Sequence, residues 1–323
     1  MRLTALGRPE LRELEASLRA GTPCTLALRG RFPRRLRADQ IIPLFDAVET
    51  DNPSLRSALR SHLPLEARPG GDRVRVTAVI PTNRGTPLGL GALRAQDCAL
   101  DVLVLTNGGA TAEGDRVFEV PWEGHGLTRQ RGAEMAIGDY VLFTVDDALP
   151  RGAGCVRALV DALEEGGYDA VFGRQIPWPT SDPVTRARLE RWTPPGRVHH
   201  PMERLDHVFA LYRRETLLRH PLPPVPTGED LRWRQGRRIG YEPQALVVHA
   251  HPREPRALYR RTRDLHRQHL AVGDPPAVPD LAALVGALPG ALRPVLQGGL
   301  GELPNQLAEL FGQWRAAKAG PAR

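Results

Sequence analysis

The sequence predicts an α/β fold: a mostly parallel sheet with helices on both faces, extended by helical N- and C-terminal segments. Two observations carry this prediction. From Arg73 onward, short β-rich apolar runs alternate with helix-like segments, the β-α-β-α order that builds a parallel sheet. Within GDYVLFTVDDALP (138–150), Tyr140 to Val145 has the length and apolarity of a strand covered on both faces. The chain has 323 residues, of which 41% are hydrophobic and 25% charged, enough for a full α/β core with smaller attachments.

Residues 1–72 read as a polar helical extension. Pro9–Ala20 has helical spacing through Leu11, Leu14 and Leu18 and stops at Gly21. Ala38–Glu49 and Asn52–Leu63 follow, the second with Pro53 just after an Asn52 cap. Residues 67–72, ARPGGD, read as a linker. The main domain, 73–270, then opens. Strands are predicted at Val74–Ile80, ended by Pro81, at Asp101–Leu105, ended by Asn107-Gly108-Gly109, and at Val117–Val120. A helix at Thr128–Ile137, a strand at 139–145, a helix at Gly152–Glu165 and a strand at Tyr168–Phe172 follow. Gln175–Pro201 is proline-rich with little regular pattern, as lids and binding loops are. His207–Tyr212 reads as a strand, Glu229–Ile239 as a short helix and Tyr241–Val248 as a last strand. The C-terminal helical segment, 271–323, ends in a helix from about Pro304 with Leu307, Leu310, Phe311 and Trp314 on one stripe.

The net charge of +7 invites a nucleic-acid reading, but Lys318 is the only lysine, so 43 of the 44 basic residues are arginine. With 32 glycines and 31 prolines beside them, this usage looks like genome-wide base composition. The charge is discounted as a sign of nucleic acid and stays compatible with a phosphate-rich ligand or an anionic membrane surface. Cys24, Cys98 and Cys155 are odd in number and make neither a disulfide framework nor a metal-ligand spacing. A reducing cytoplasm is the expected compartment. The N-terminal stretch has no apolar signal region, and no segment has the roughly 18 apolar residues of a membrane span.

Asp146 and Asp147 follow the 139–145 strand directly. They therefore fall at the carboxyl edge of the sheet, where open α/β sheets bind ligands. A carboxylate there can hold a hard divalent cation, which in turn holds phosphate oxygens. The same residues also fit a solvated turn. His249 and His251 end the last predicted strand, and two residues apart on an extended segment they share a face. Glu229 and Asp230 suit a helix start, where acids favour the dipole.

Four segments together resemble the inverting GT-A glycosyltransferases of family 2, and within it the bacterial rhamnosyltransferase-like group. They are VTAVIPTNRG (76–85), HGLTRQRGAEMAIGDYVLFTVDDALP (125–150), YDAVFGRQIPWPTSDPVTRARLE (168–190) and GEDLRWRQGRRIGYEPQALVVHAHP (228–252). The resemblance covers roughly Val74 to His266 and implies a GT-A (Rossmann-like) fold and a nucleotide-diphosphate sugar donor. It implies that Asp147 holds Mg²⁺ or Mn²⁺, with His249 or His251 as nitrogen ligand. Asp230, with Glu229 beside it, becomes the candidate catalytic base. Arg129, with Arg131 near, is expected on the diphosphate at a free helix start. Pro81, Thr82 and Asn83 are expected in the nucleoside pocket and Asp146 on the ribose. Arg174 and Gln175 would face the sugar or acceptor, a structural ion pair being the other fate of Arg174. Val145 stands where GT-A enzymes usually have the first Asp of Asp-x-Asp, Gln130 where the group has Asn, and Thr106-Asn107 where an Asp often meets the nucleobase.

The expected acceptor is a glycan or lipid-linked molecule of the cell envelope, with the enzyme cytoplasmic or peripheral on the inner membrane face. The terminal stripe would then pack on the chain or a second subunit, or lie on the membrane. Two other classes fit the sequence less well. A nucleotidyltransferase would carry a Gly-rich phosphate loop and a Lys near the first strand, and no such Lys is present. A non-catalytic sugar-nucleotide or polysaccharide-binding protein of the same fold would have no need of the Glu229-Asp230 pair.

Overall fold

The structure, a computed structural model, describes residues 1–28, 32–33, 36–70, 73–196, 204–273 and 278–321. Gly71 and Asp72 of the predicted linker and residues 197–201 of the proline-rich region lie outside the described residues.

The N-terminal segment departs from its helical reading. Strands β1 (Arg2–Leu3), β2 (Thr25–Leu28) and β3 (Ala47–Thr50) form a parallel three-stranded sheet. Helices α1 (Arg8–Arg19), α2 (Ala38–Ile41) and α3 (Pro53–Arg60) connect and cover it. The helix expected over Ala38–Glu49 stops at Ile41, because Pro43 cannot continue it. The apolar residues Ile41, Ile42, Leu44 and Phe45 are then wholly buried. The Asn52 cap is present: its Oδ1 accepts the Leu55 N–H at 3.1 Å.

The main sheet has eight strands. They are β4 (Arg75–Thr82), β5 (Ala99–Thr106), β6 (Arg116–Glu119), β7 (Tyr140–Thr144), β8 (Leu149–Arg151), β9 (Ala170–Ile176), β10 (Phe209–Arg213) and β11 (Ile239–Val248). Their spatial order is β6-β5-β4-β7-β10-β9-β11-β8. Strands β4 to β7, β9 and β11 run parallel, while β10 and β8 run against their neighbours. Strand β4 extends past the expected stop at Pro81. Beyond the Val79–Phe143 pair it is paired on the β5 side alone, the kind of position at which a strand tolerates proline. Successive strands move outward from β4 to β6, and the chain then returns to place β7 on the other side of β4. The resulting switch point lies between the carboxyl ends of β4 and β7, where such sheets bind ligands.

Alternation along the strands builds two cores. Val76, Ala78, Ile80, Val102, Val104 and Leu142 face helices α4 (Leu90–Arg94) and α6 (Cys155–Gly166). Val79, Leu103, Leu105, Val141, Phe143 and Phe172 belong to the opposite core, which holds Ala133 and Ala136 at helix α5 (His125–Met135). Gly132 of α5 is required by close approach, since a Cβ there would meet Val79 Cγ1 at 2.2 Å. The proline-rich region is less irregular than expected. It forms helix α7 (Pro183–Trp192), capped by Asp182 Oδ1 accepting the Thr185 N–H at 2.9 Å. Short helices α8 (Arg214–Arg219) and α9 (Glu229–Trp233) follow.

Three helices close the chain: α10 (Pro255–Ala271), α11 (Leu281–Gly298) and α12 (Leu303–Ala319). Helix α10 was not anticipated. It is arginine-rich, with Leu258 and Gln268 as its buried residues, so its apolar periodicity is weak. The predicted stripe of α12 divides. Leu310 joins Val278 and Leu284 in a small core against which Trp314 packs, whereas Phe311 is exposed. The N-terminal sheet shares a third core with Leu149, Ile176, Trp178, Leu246 and Val248 at the ends of β8, β9 and β11.

Candidate active site

The carboxyl ends of β4, β7, β9 and β11 bring the polar residues together. Thr82 closes β4 and donates its hydroxyl to Asp146 Oδ2 at 2.7 Å. Asp147 is half-buried. His249 Nε2 lies 3.5 Å from its Oδ1 and His251 Nδ1 3.5 Å from its Oδ2. One ligand atom from each of these three residues lies within 4.8 Å of the others. Arg84 Nη1 donates to Asp147 Oδ2 at 3.1 Å.

The buried His249 is held in one orientation by its neighbours. Its Nδ1 meets Gln175 Oε1 at 3.0 Å, while Gln175 Nε2 donates to Asp206 Oδ2 at 2.6 Å. A carboxylate accepts only, so the amide must turn its NH₂ to Asp206 and its oxygen to His249. His249 therefore donates from Nδ1 to Gln175, which leaves Nε2 as the ring atom turned toward Asp147 and available to a metal. Burial pushes the Asp147 carboxyl up, but His249, His251 and Arg84 outweigh it and hold the carboxyl well below the usual range. Burial first, then the positive charge of His249 and Arg261, lowers His251 to about 4. One carboxylate and two imidazoles suit a divalent transition ion such as Mn²⁺ better than Mg²⁺, which prefers oxygen ligands.

Glu229 and Asp230 are adjacent in sequence but differ in environment. Helix α9 starts from Gly228, whose φ of +74° is in the left-handed region that glycine allows. Glu229 is buried, and its Oε1 accepts from Arg129 Nη1 at 2.5 Å and meets His207 Nδ1 at 2.9 Å. His207 Nε2 meets the Tyr212 hydroxyl at 2.5 Å. A hydrogen-bonded chain thus runs from Tyr212 through His207 to Glu229, with Phe143 edge-on to both rings. Burial raises the Glu229 carboxyl, but the charge of Arg129 and the bond from His207 win and hold it well below the usual range. Asp230 is partly exposed and accepts its own helix's Leu231 N–H at 2.7 Å. Burial first, and the Glu229 charge second, raise it to about 6. Two neighbouring carboxyls pushed apart in this way mark one as a fixed charge and the other as a group able to exchange a proton near neutral pH.

The remaining expected residues fall into two groups. Pro81, Thr82 and the exposed Asn83 lie at the switch point, and the buried Asn107 is beside them, its N–H donating to the Thr82 carbonyl at 3.2 Å. Arg129 and Arg174 are placed differently from their reading. The start of α5 is not free, because the His125 and Gly126 N–H groups donate to the Pro226 and Val225 carbonyls. Arg129 is 5% exposed and committed to Glu229. Arg131 pairs with Glu123. Arg174 is 4% exposed, and its Nη2 donates to Asp39 Oδ2 of α2 at 2.7 Å. It is thus the structural ion pair weighed as its other fate. Gln175 serves His249. Sequence reasoning missed Asp206, His207, Arg84 and Arg261 of α10, whose charge acts on Asp147 and His251. The adjacent Asp206-His207 before β10 was the one local signal that could have found the first two.

No family model matches the chain, and no curated protein matches it. Solved structures do. The mannosyltransferase PcManGT from Pyrobaculum calidifontis, solved with GDP-Man and Mn²⁺, matches with a TM-score of 0.52 at 18% identity, covering 96% of this chain and 98% of that one. Glucosyl-3-phosphoglycerate synthase from Mycobacterium tuberculosis, solved with Mn²⁺, UDP-glucose and phosphoglyceric acid, matches with a TM-score of 0.45 at 20% identity over 68% of this chain and 91% of that one. The likeness to the mannosyltransferase is one of fold, and the fold is GT-A, with a helical C-terminal extension.

Proposed function

We propose that the chain is a metal-dependent glycosyltransferase that moves a sugar from a nucleotide-diphosphate donor to an acceptor hydroxyl. The observation that carries this reading is the Asp147, His249 and His251 cluster at the switch point of a GT-A sheet, with His249 Nε2 turned inward by the Gln175 contact at Nδ1. These three residues would hold Mn²⁺ or Mg²⁺. When bound, the ion supplies Lewis-acid neutralisation of charge on the departing diphosphate. The protein residues do the rest. Thr82, Asn83 and Asn107 line the place where the nucleoside would lie beside β4, and Asp146, tied to Thr82, fixes the turn there. Asp230 takes the proton of the acceptor hydroxyl as the new bond forms at the anomeric carbon. Arg129 and His207 keep Glu229 charged beside it.

Asp230 acting as a base on the acceptor, rather than as a nucleophile, supports inversion at the anomeric carbon. The ordered motifs of family 2, and of its rhamnosyltransferase-like group, support rhamnose as the transferred sugar and a glycan or lipid-linked acceptor of the cell envelope. The place of work is then the cytoplasm or the inner face of the membrane. No helix among the described residues is long and apolar enough to cross a membrane. Purified protein incubated with a panel of nucleotide sugars, Mn²⁺ and a cell-envelope glycan fraction as acceptor should release nucleoside diphosphate from one donor class as the sugar passes to an acceptor hydroxyl, with release stopped by chelator. Release from none of them, or release undiminished in excess chelator, would overturn the reading.

A further inference from the structure

The turn after β4 carries a cation of its own to the carboxylates. Arg84 Nη1 lies 3.1 Å from Asp147 Oδ2 and 3.8 Å from Asp146 Oδ1. The backbone of this turn is pinned. The Arg84 N–H donates to Thr82 Oγ1 at 3.1 Å, and Thr82 is tied to Asp146. Gly85 follows at φ +124°, a conformation that side chains other than glycine's resist. The Arg84 side chain itself is 64% exposed. A fixed backbone thus presents a guanidinium that is free to swing.

Asp147 Oδ2 is claimed twice. It faces Arg84, and it also faces His251 Nδ1 at 3.5 Å in the cluster that fits a divalent ion. A guanidinium and a divalent cation repel at that separation, so they compete for the oxygen. The planar fork of five donors has a second natural partner, the oxygens of a diphosphate. Arg261 adds positive charge near the same carboxylate and, among the described residues, makes no hydrogen bond or ion pair.

We propose that Arg84 exchanges one anion for another: it pairs with Asp147 until a divalent cation takes that carboxylate, and it then grips the diphosphate of the nucleotide. The inference rests on the glycosyltransferase reading of the site and adds a residue which that reading did not use.

Calorimetric titration of the full chain, Arg84→Ala and Arg84→Lys, first with Mn²⁺ alone and then with UDP and GDP at saturating Mn²⁺, tests it. Arg84→Ala should bind Mn²⁺ a few-fold more tightly, since it loses an exposed competitor. It should bind the nucleoside diphosphate about tenfold or more weakly, since it loses a charge-assisted bond. Arg84→Lys should fall between the two on both measures. Equal weakening of both affinities would make Arg84 structural and overturn the proposal. If the wild type binds both ligands and Arg84→Ala matches it, the proposal alone fails. If the wild type binds neither Mn²⁺ nor either nucleotide, the reading of the site fails and takes the proposal with it.

Discussion

At the scale of single residues, the account turns on how the protein divides labour between two adjacent carboxyls. Asp230, raised to about 6, must be ionised to accept a proton, so kcat/KM should rise through a single acidic limb near pH 6. Asp230→Asn should remove that limb and lower kcat by about 10² to 10⁴ with little change in donor affinity. Its effect on stability has the opposite sign. A folded-state pKa above the unfolded one favours folding only while the group is protonated, and this advantage fades as pH rises from about 4 to about 6. The neutral amide should therefore raise the melting temperature at pH 7, by at most about 3 kcal/mol of stability, and change it little at pH 4. An equal melting temperature at pH 7, or near-normal turnover, would take the base role from Asp230. Gln175 is the matching test on the metal side. Gln175→Ala frees the His249 ring and should weaken Mn²⁺ binding about 10- to 100-fold, read by calorimetry. Unchanged affinity would mean that the Gln175 contact does not orient His249.

At the scale of elements, the buried Arg174–Asp39 pair joins β9 to helix α2 of the N-terminal sheet. Asp39→Asn should cost roughly 3–5 kcal/mol in urea unfolding, because it strands a buried guanidinium. Asp39→Leu with Arg174→Met should recover most of that loss and keep the donor KM. A raised KM in the double variant would return Arg174 to the sugar-binding role that the sequence suggested. The elements legible in the sequence were those with strong local signals. The covered strands β4, β5 and β7 are continuous apolar runs, and α1, α3 and α6 have helical spacing. The N-terminal strands have only two to four residues each, too few for a period of two to declare itself. Asp147, His249 and His251 were readable because strand ends place them at one edge. Arg129 and Arg174 were not, because their partners lie 100 and 135 residues away and ion pairing across such distances leaves no local pattern.

At the scale of the whole molecule, segments outside the eight-stranded sheet brace the loops at its edge. Arg253, two residues after His251, is buried between Glu302 and Glu309 at 3.0 and 3.2 Å. Glu309 also pairs with Arg188 of α7. Helix α12 therefore ties the histidine loop to the proline-rich region, and the N-terminal sheet backs β9 and β11 through their shared core. The central claim is that this whole arrangement exists to hold a cation and a nucleotide diphosphate at Asp147. Its most direct test is calorimetric binding of UDP and GDP to wild-type protein and to Asp147→Asn, each with and without Mn²⁺. The account predicts Mn²⁺-dependent binding of at least one nucleotide by the wild type, and its loss in a variant whose melting profile shows it still folded. Nucleotide binding that is indifferent to Mn²⁺, or equal in Asp147→Asn, would contradict it.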